Sequence, residues 1–89
     1  EEEIAEPSPG EFILNGDTEI GRLGDKLGLD LYDESYNTVA GMVIAHLGRF
    51  PRKDETISMS GLNFHVLEVD SRKVLRIRIT REQTPNLSE

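Results

Sequence analysis

The sequence predicts an α+β domain: an antiparallel sheet, made of a three-stranded meander plus an N-terminal strand, covered on one face by two short helices. Three observations carry that prediction. Apolar residues recur at helical spacing in two stretches, Ile20–Leu27 and Val39–Leu47. From Glu55 the apolar period drops to two, the period of a strand. One strand register then gathers Ile57, Met59, Phe64, Val66, Ile77 and Ile79 on a single face.

The bulk composition sets the scale. Eighty-nine residues with 36% apolar and 30% charged content suit one small soluble domain with a modest core. There are no cysteines, so neither a disulfide nor a thiolate metal site holds it together. No apolar run approaches the roughly 20 residues that cross a bilayer, and no signal-peptide pattern opens the sequence. The start Glu1-Glu2-Glu3 predicts a longer parent chain. The net charge of −7 is divided unevenly: residues 1–48 carry −9 and residues 49–89 carry +2. An acidic total argues against nonspecific nucleic-acid binding, which depends on neutralising phosphates. The basic half can meet an anionic partner, or simply neutralise the acidic half on one surface.

The elements follow in chain order. Residues 1–10, EEEIAEPSPG, carry two prolines and no periodicity, and read as an acidic linker or loosely docked lead-in. The domain is expected over residues 11–82, with a frayed tail over 83–89. EFILNGD is a short strand closed by the turn signal Asn15-Gly16. Thr18 is placed to cap a first helix whose apolar positions are Ile20, Leu23 and Leu27, and Gly28 is placed to end it. Gly21 and Gly24 weaken that helix by about 1 kcal/mol each relative to alanine, so packing must hold it.

LDLYDESY is a polar connection. Asn37 or Thr38 caps the second helix, with Val39, Met42, Val43 and Leu47 as its apolar stripe. Gly48 ends this helix and Pro51 forbids its resumption. SGLN is read as the next turn, pairing Met59 with Phe64 and Ile57 with Val66. A turn at Ser71-Arg72 pairs Val66 with Ile77, Phe64 with Ile79, His65 with Arg78 and Leu67 with Arg76.

Residues with chemical potential are few. His46 lies near the stripe of the second helix and His65 on the open sheet face; two separate histidines without a third ligand make a weak metal signal. Asp30, Asp33 and Glu34 are weak candidates for a divalent cation, since the EF-hand spacing and glycine are missing, and a solvated acidic loop is the simpler reading. Arg76, Arg78 and Arg81 on the last strand, with Lys73 before them, are either a contact surface for an acidic partner or a charged face that protects an edge strand. No phosphate loop, dinucleotide fingerprint or nucleophile–base pair is present, so no catalytic residues are expected.

The order of three segments goes further. FILNGDTEIGRLGDKLGLDL, YNTVAGMVIAHLGRFPRKDETI and GLNFHVLEVDSRKVLRIRI together resemble the CorC/HlyC transporter-associated domain over about residues 11–80. The most specific pieces are Thr38 with Gly41, Leu47-Gly48-Arg49-Phe50-Pro51, and Gly61-Leu62-Asn63-Phe64-His65-Val66. One departure follows Pro51, where the family often has Gly-Asp or Gly-Glu and this chain has Lys53-Asp54; the form of that turn stays open.

The resemblance implies structural roles for Thr38, Gly41, Gly48, Pro51, Gly61, Phe64 and Val66. It implies a cytoplasmic domain that follows a membrane region and paired CBS domains in a larger protein. Such proteins are linked to magnesium and cobalt efflux or are haemolysin-like. The expected function is a non-catalytic accessory or regulatory domain without a cofactor. It would act through contacts with the CBS and membrane domains of its own chain or with a second protomer in a homodimer, without inserting into the membrane itself. The fold is also grouped with part of a flavin-binding domain, which makes flavin adenine dinucleotide a fold-level analogy only. The alternative is therefore a small-ligand module that binds a nucleotide or that flavin between helices and sheet, in an apolar cleft with convergent polar groups.

Overall fold

The computed structural model describes residues 4–81. Seven elements follow one another: β1 (Ala5–Ser8), β2 (Glu11–Asn15), α1 (Ile20–Leu27), α2 (Val39–Leu47), β3 (Thr56–Met59), β4 (Leu62–Val69) and β5 (Val74–Arg81). The strands form one antiparallel sheet in the order β1-β2-β5-β4-β3. The α+β architecture is as the sequence predicts, and the last strand is its centre. Ile77 is flanked by Leu14 and Val66, and Ile79 by Phe12 and Phe64. All six are buried, so β5 is fixed by apolar neighbours on both sides.

The helices lie on that apolar face. Ile20, Leu23 and Leu27 of α1 and Val39, Met42 and Val43 of α2 join the strand residues in one core cluster. Burying each such side chain is worth about 1.5–3 kcal/mol, which outweighs the weak helix propensity of Gly21 and Gly24. Gly24 is itself required, because a Cβ there would come within 2.6 Å of the Leu29 carbonyl oxygen.

The two helix starts cap each other through the backbone. The Ile20 N–H donates to the Asn37 carbonyl at 2.9 Å, and the Val39 N–H donates to the Thr18 carbonyl at 2.9 Å. These bonds satisfy donors that a helix start leaves without partners. The expectation that the Thr18 side chain caps α1 does not hold: the N-cap is Glu19, with no side-chain cap bond, and Thr18 is fully buried. Thr38 does cap α2, accepting the Gly41 N–H at 3.0 Å. Gly28 and Gly48 end the helices in left-handed conformation, with φ of 72° and 76°.

Four expectations of strand geometry are corrected. Ala5–Ser8, expected within a lead-in without regular structure, forms an edge strand against β2 through the Pro9-Gly10 turn. Its residues are exposed, so no burial pattern marked it in the sequence. The turn before β4 is the two-residue Ser60-Gly61, both at positive φ, the geometry that matches strand twist in a tight hairpin. Met59 therefore pairs with Leu62 and Ile57 with Phe64. This slip of two residues keeps the same side chains inward, although Met59 is only partly buried.

The other two corrections concern β5. It is central, so its charges protect no edge. It also runs through two offsetting irregularities: Glu68, rather than Leu67, opposes Arg76, and Val69 again opposes Val74. Leu75 is the extra residue on its side and is 37% exposed, while Val74 takes the inward place.

Candidate functional site

The sheet face away from the helices is uncovered among the described residues, and the pairing arranges it in rows. One row crosses all five strands as Ala5, Ile13, Arg78, His65 and Thr56. The next runs Ser8, Glu11, Thr80, Asn63 and Ser58. A shorter one holds Asn15, Arg76 and Glu68. Alternation explains the arrangement, since β2 and β5 send every second residue into the core and the rest to this face.

The face is internally compensated. Arg78 Nε lies 3.4 Å from Glu11 Oε2, with both side chains partly exposed. His65 Nε2 lies 3.2 Å from Asp54 Oδ1. Ser58 Oγ donates to Asn63 Oδ1 at 2.7 Å. Arg76 is exposed, opposite Glu68 and Asn15. At that end of the face a cleft of about 280 Å³ is lined by Asn15, Asp17, Glu68, Lys73 and Arg76 together with Val74 and Leu75. Gly16 forms its floor. A Cβ there would lie 2.0 Å from the Val74 carbonyl oxygen, so only glycine permits this closeness of backbone.

The four cations read from the sequence separate. Arg76 and Arg78 share the open face. Lys73 sits in the hairpin turn before β5. Arg81 pairs with the buried Leu62, so it lies on the helix side, and its guanidinium donates to the Leu27 carbonyl at 2.9 Å. It satisfies a carbonyl at the end of α1, where the helix dipole also favours a cation. Its place in a single basic surface is thereby corrected.

The acidic residues of the helix connection act locally. Asp30 Oδ1 accepts the Tyr32 N–H at 3.2 Å and Asp33 Oδ1 accepts the Ser35 N–H at 2.8 Å. The Ser35 N–H holds the Asp33 carboxyl below its ordinary range, helped by the Ser35 side chain. Glu34 is exposed. Among the described residues no three His, Asp or Glu side chains gather as a metal site. His46 is exposed in the last turn of α2 rather than set against its stripe.

The motif after α2 is a clamp. Arg49 donates to Glu55 Oε1 at 3.0 Å and to the Phe50 carbonyl at 3.2 Å, and it pairs again with Glu55 Oε2. The Arg52 N–H adds a bond to Glu55 Oε1 at 3.0 Å. These contacts, Arg49 first, hold the Glu55 carboxyl down at about 2. Pro51 is fully buried between them. The turn left open by the sequence closes with Asp54 at φ 69°, its N–H donating to the Val66 carbonyl at 2.7 Å. The Arg49–Glu55 clamp was not anticipated, and its signal was a cation and an anion six residues apart across a buried proline.

Comparison with known proteins bears on this geometry. The family model of the transporter associated domain CorC_HlyC matches residues 5–83. The magnesium and cobalt efflux protein CorC of Buchnera aphidicola is 32% identical over 80 residues, 88% of this chain and 28% of that protein. A polyamine export protein of Salmonella typhimurium is 25% identical over 83 residues, 91% of this chain and 19% of its own length. The chain thus spans less than a third of either relative.

Among solved structures, the CorC-associated region from Neisseria meningitidis superposes with a TM-score of 0.84 at 29% identity. That match covers 88% of this chain and 96% of the other. The CorC_HlyC domain of a Xylella fastidiosa haemolysin, solved in complex with magnesium and manganese, gives a TM-score of 0.76 at 26% identity, covering 88% and 95%.

Proposed function

Because the chain belongs to the CorC_HlyC transporter associated domain family, we propose that it is a non-catalytic accessory domain of a metal-ion efflux protein, held at the cytoplasmic side of the membrane. Its parent would carry the membrane region and the CBS domains, and this domain would bias transport through contacts with them or with a second protomer. The observation that carries the reading is the division of the sheet. The helix side is filled by apolar side chains, sixteen of them among the described residues at most 8% exposed. The other side displays Arg76, Arg78, Glu11 and His65 in ordered rows on a rigid frame. A rigid charged face suits specificity toward a partner more than chemistry.

The magnesium- and cobalt-efflux names of relatives support a divalent cation as the transported species. The small-ligand alternative requires room between helices and sheet, and that space is occupied by the core. Saturable one-to-one flavin adenine dinucleotide binding in a calorimetric titration would restore it. The accessory role is tested by deleting residues 5–81 from the intact parent and measuring cobalt efflux from loaded cells. A changed rate at equal membrane abundance supports the reading. An unchanged rate overturns it.

A further inference from the structure

The cleft at the Arg76 end of the open face stands on pinned backbone. On one side the Gly16 N–H donates to the Leu75 carbonyl at 3.1 Å, and the Gly16 carbonyl accepts the Ala40 N–H at 2.8 Å. The Thr18 N–H closes the same turn on the Asn15 carbonyl at 3.1 Å. On the other side the hairpin tip is tied by Asp70, whose Oδ1 accepts the N–H groups of Arg72 and Lys73 at 2.8 and 2.9 Å. Both walls are therefore set before anything enters between them.

The irregularities of β4 and β5 decide what the cleft presents, since a bulge re-aims the side chains beside it. Arg76 is left in the middle of a row, with Asn15 across β2 and Glu68 across β4. Lys73 and Asp17 also line the cleft, and the extra residue Leu75 supplies an exposed apolar surface. Opposed charges on neighbouring strands ordinarily pair. Yet none of Arg76, Lys73, Glu68 and Asp17 has a salt bridge among the described residues. Two cations and two anions thus line one small space, each with its charge unmatched.

We propose that this cleft binds a free α-amino acid with an aliphatic side chain. Its carboxylate would lie on Arg76 and Lys73, its ammonium on Glu68 and Asp17, and its side chain on Leu75. Charge selects this class. A simple anion would meet the two carboxylates, and a simple cation the two basic groups, whereas a zwitterion satisfies both pairs. Size agrees, because a cavity of about 280 Å³ falls below the roughly 300–1,000 Å³ that hold drug-sized ligands. A nucleotide or flavin is too large for it.

A ligand held on Arg76 competes with any partner of that residue, which would make the amino acid a regulator of the parent. That consequence rests on the accessory-domain reading, whereas binding itself is tested on the domain alone. Solved relatives consist almost wholly of this domain, so it folds as an isolated unit.

The test is a proton–nitrogen NMR titration of the isolated chain with L-leucine, L-leucinamide and 4-methylpentanoate. L-leucine should shift the amides of residues 15–17, 68 and 73–76 saturably, with a dissociation constant of about 1 mM for so few contacts. The amide lacks the carboxylate and the acid lacks the ammonium, so each should bind at least about tenfold more weakly. Glu68→Gln should weaken L-leucine about tenfold while narrowing its advantage over 4-methylpentanoate, a change that a merely structural role would not produce. No saturable shift up to about 20 mM L-leucine, a concentration well above that constant, overturns the proposal. So does equal binding of the three compounds, or an unchanged preference in a Glu68→Gln protein that melts as the wild type does. Binding as described, in a domain whose deletion leaves efflux unchanged, upholds the site and removes the accessory role.

Discussion

Arg78 Nε sits 3.4 Å from Glu11 Oε2, joining the central strand to β2 across the uncovered face. The same face carries Arg76 with no such anchor among the described residues. Two arginines two residues apart on one strand therefore have different work. Arg78 is paired across the face, and Arg76 stays exposed.

The difference predicts unequal stability effects. Arg76→Glu should change stability by no more than about 0.5 kcal/mol, as for an exposed substitution away from any network. Arg78→Glu should cost more, because it replaces an ion pair worth up to about 1 kcal/mol with a repulsive one beside Glu11. Thermal melts of the two variants at neutral pH check the order. Equal melting temperatures would show that the Glu11 contact contributes nothing.

Glu55 predicts an acid limb in stability. Its carboxyl is held at about 2 in the fold, against an ordinary value of 4.5, chiefly by hydrogen bonding from Arg49. A depressed carboxyl contributes stability that is fully present above pH 4.5 and is lost as pH falls toward about 2. Arg49→Ala should move the Glu55 titration up toward its ordinary value and flatten that limb. Carbon-detected NMR titration of the Glu55 side chain reads both. A midpoint unmoved in the variant would mean that Arg49 is not the cause.

Two glycines predict opposite signs. Gly16→Ala should destabilise by more than about 2 kcal/mol, since its Cβ would sit 2.0 Å from a backbone carbonyl that cannot turn aside. Gly21→Ala, in an exposed turn of α1 with nothing within 4 Å, should stabilise by about 0.5–1 kcal/mol. Denaturant melts of both variants decide. A stable Gly16→Ala protein would mean that β2 and β5 are not held together as described.

Much of this architecture was legible in the residues, and the gaps have physical causes. Gly28 and Gly48 marked their helix ends, and Thr38 was one of two candidates for the start of α2, because these caps are local; the start of α1 was misread because its N–H groups are met by Asn37 and not by Thr18. Ile57, Phe64, Val66, Ile77 and Ile79 declared a common face because alternation survives a two-residue slip. The turn at SGLN was placed but read as two residues too long, since the tight form needs Ser60 at φ 56°, a conformation uncommon for residues other than glycine. The insertion of β5 beside β2 is a long-range choice, so Glu11 could not be matched to Arg78 in advance. Paired irregularities at Leu67 and Leu75 cancel along the strand and leave no trace in a simple alternation. Arg81 was grouped with Arg76 and Arg78 although its odd position sets it on the opposite side of the strand, and its bond to Leu27 required the position of α1.

The most direct test of the central claim is metal-ion efflux by the intact parent carrying Arg76→Glu. The change leaves the core untouched, and like charges at a contact are repelled and misdirected. The account predicts an altered efflux rate at normal membrane abundance, together with an isolated domain that melts as the wild type does. An unchanged rate in a protein with an unchanged melt would contradict it and leave Arg76 a solubility residue.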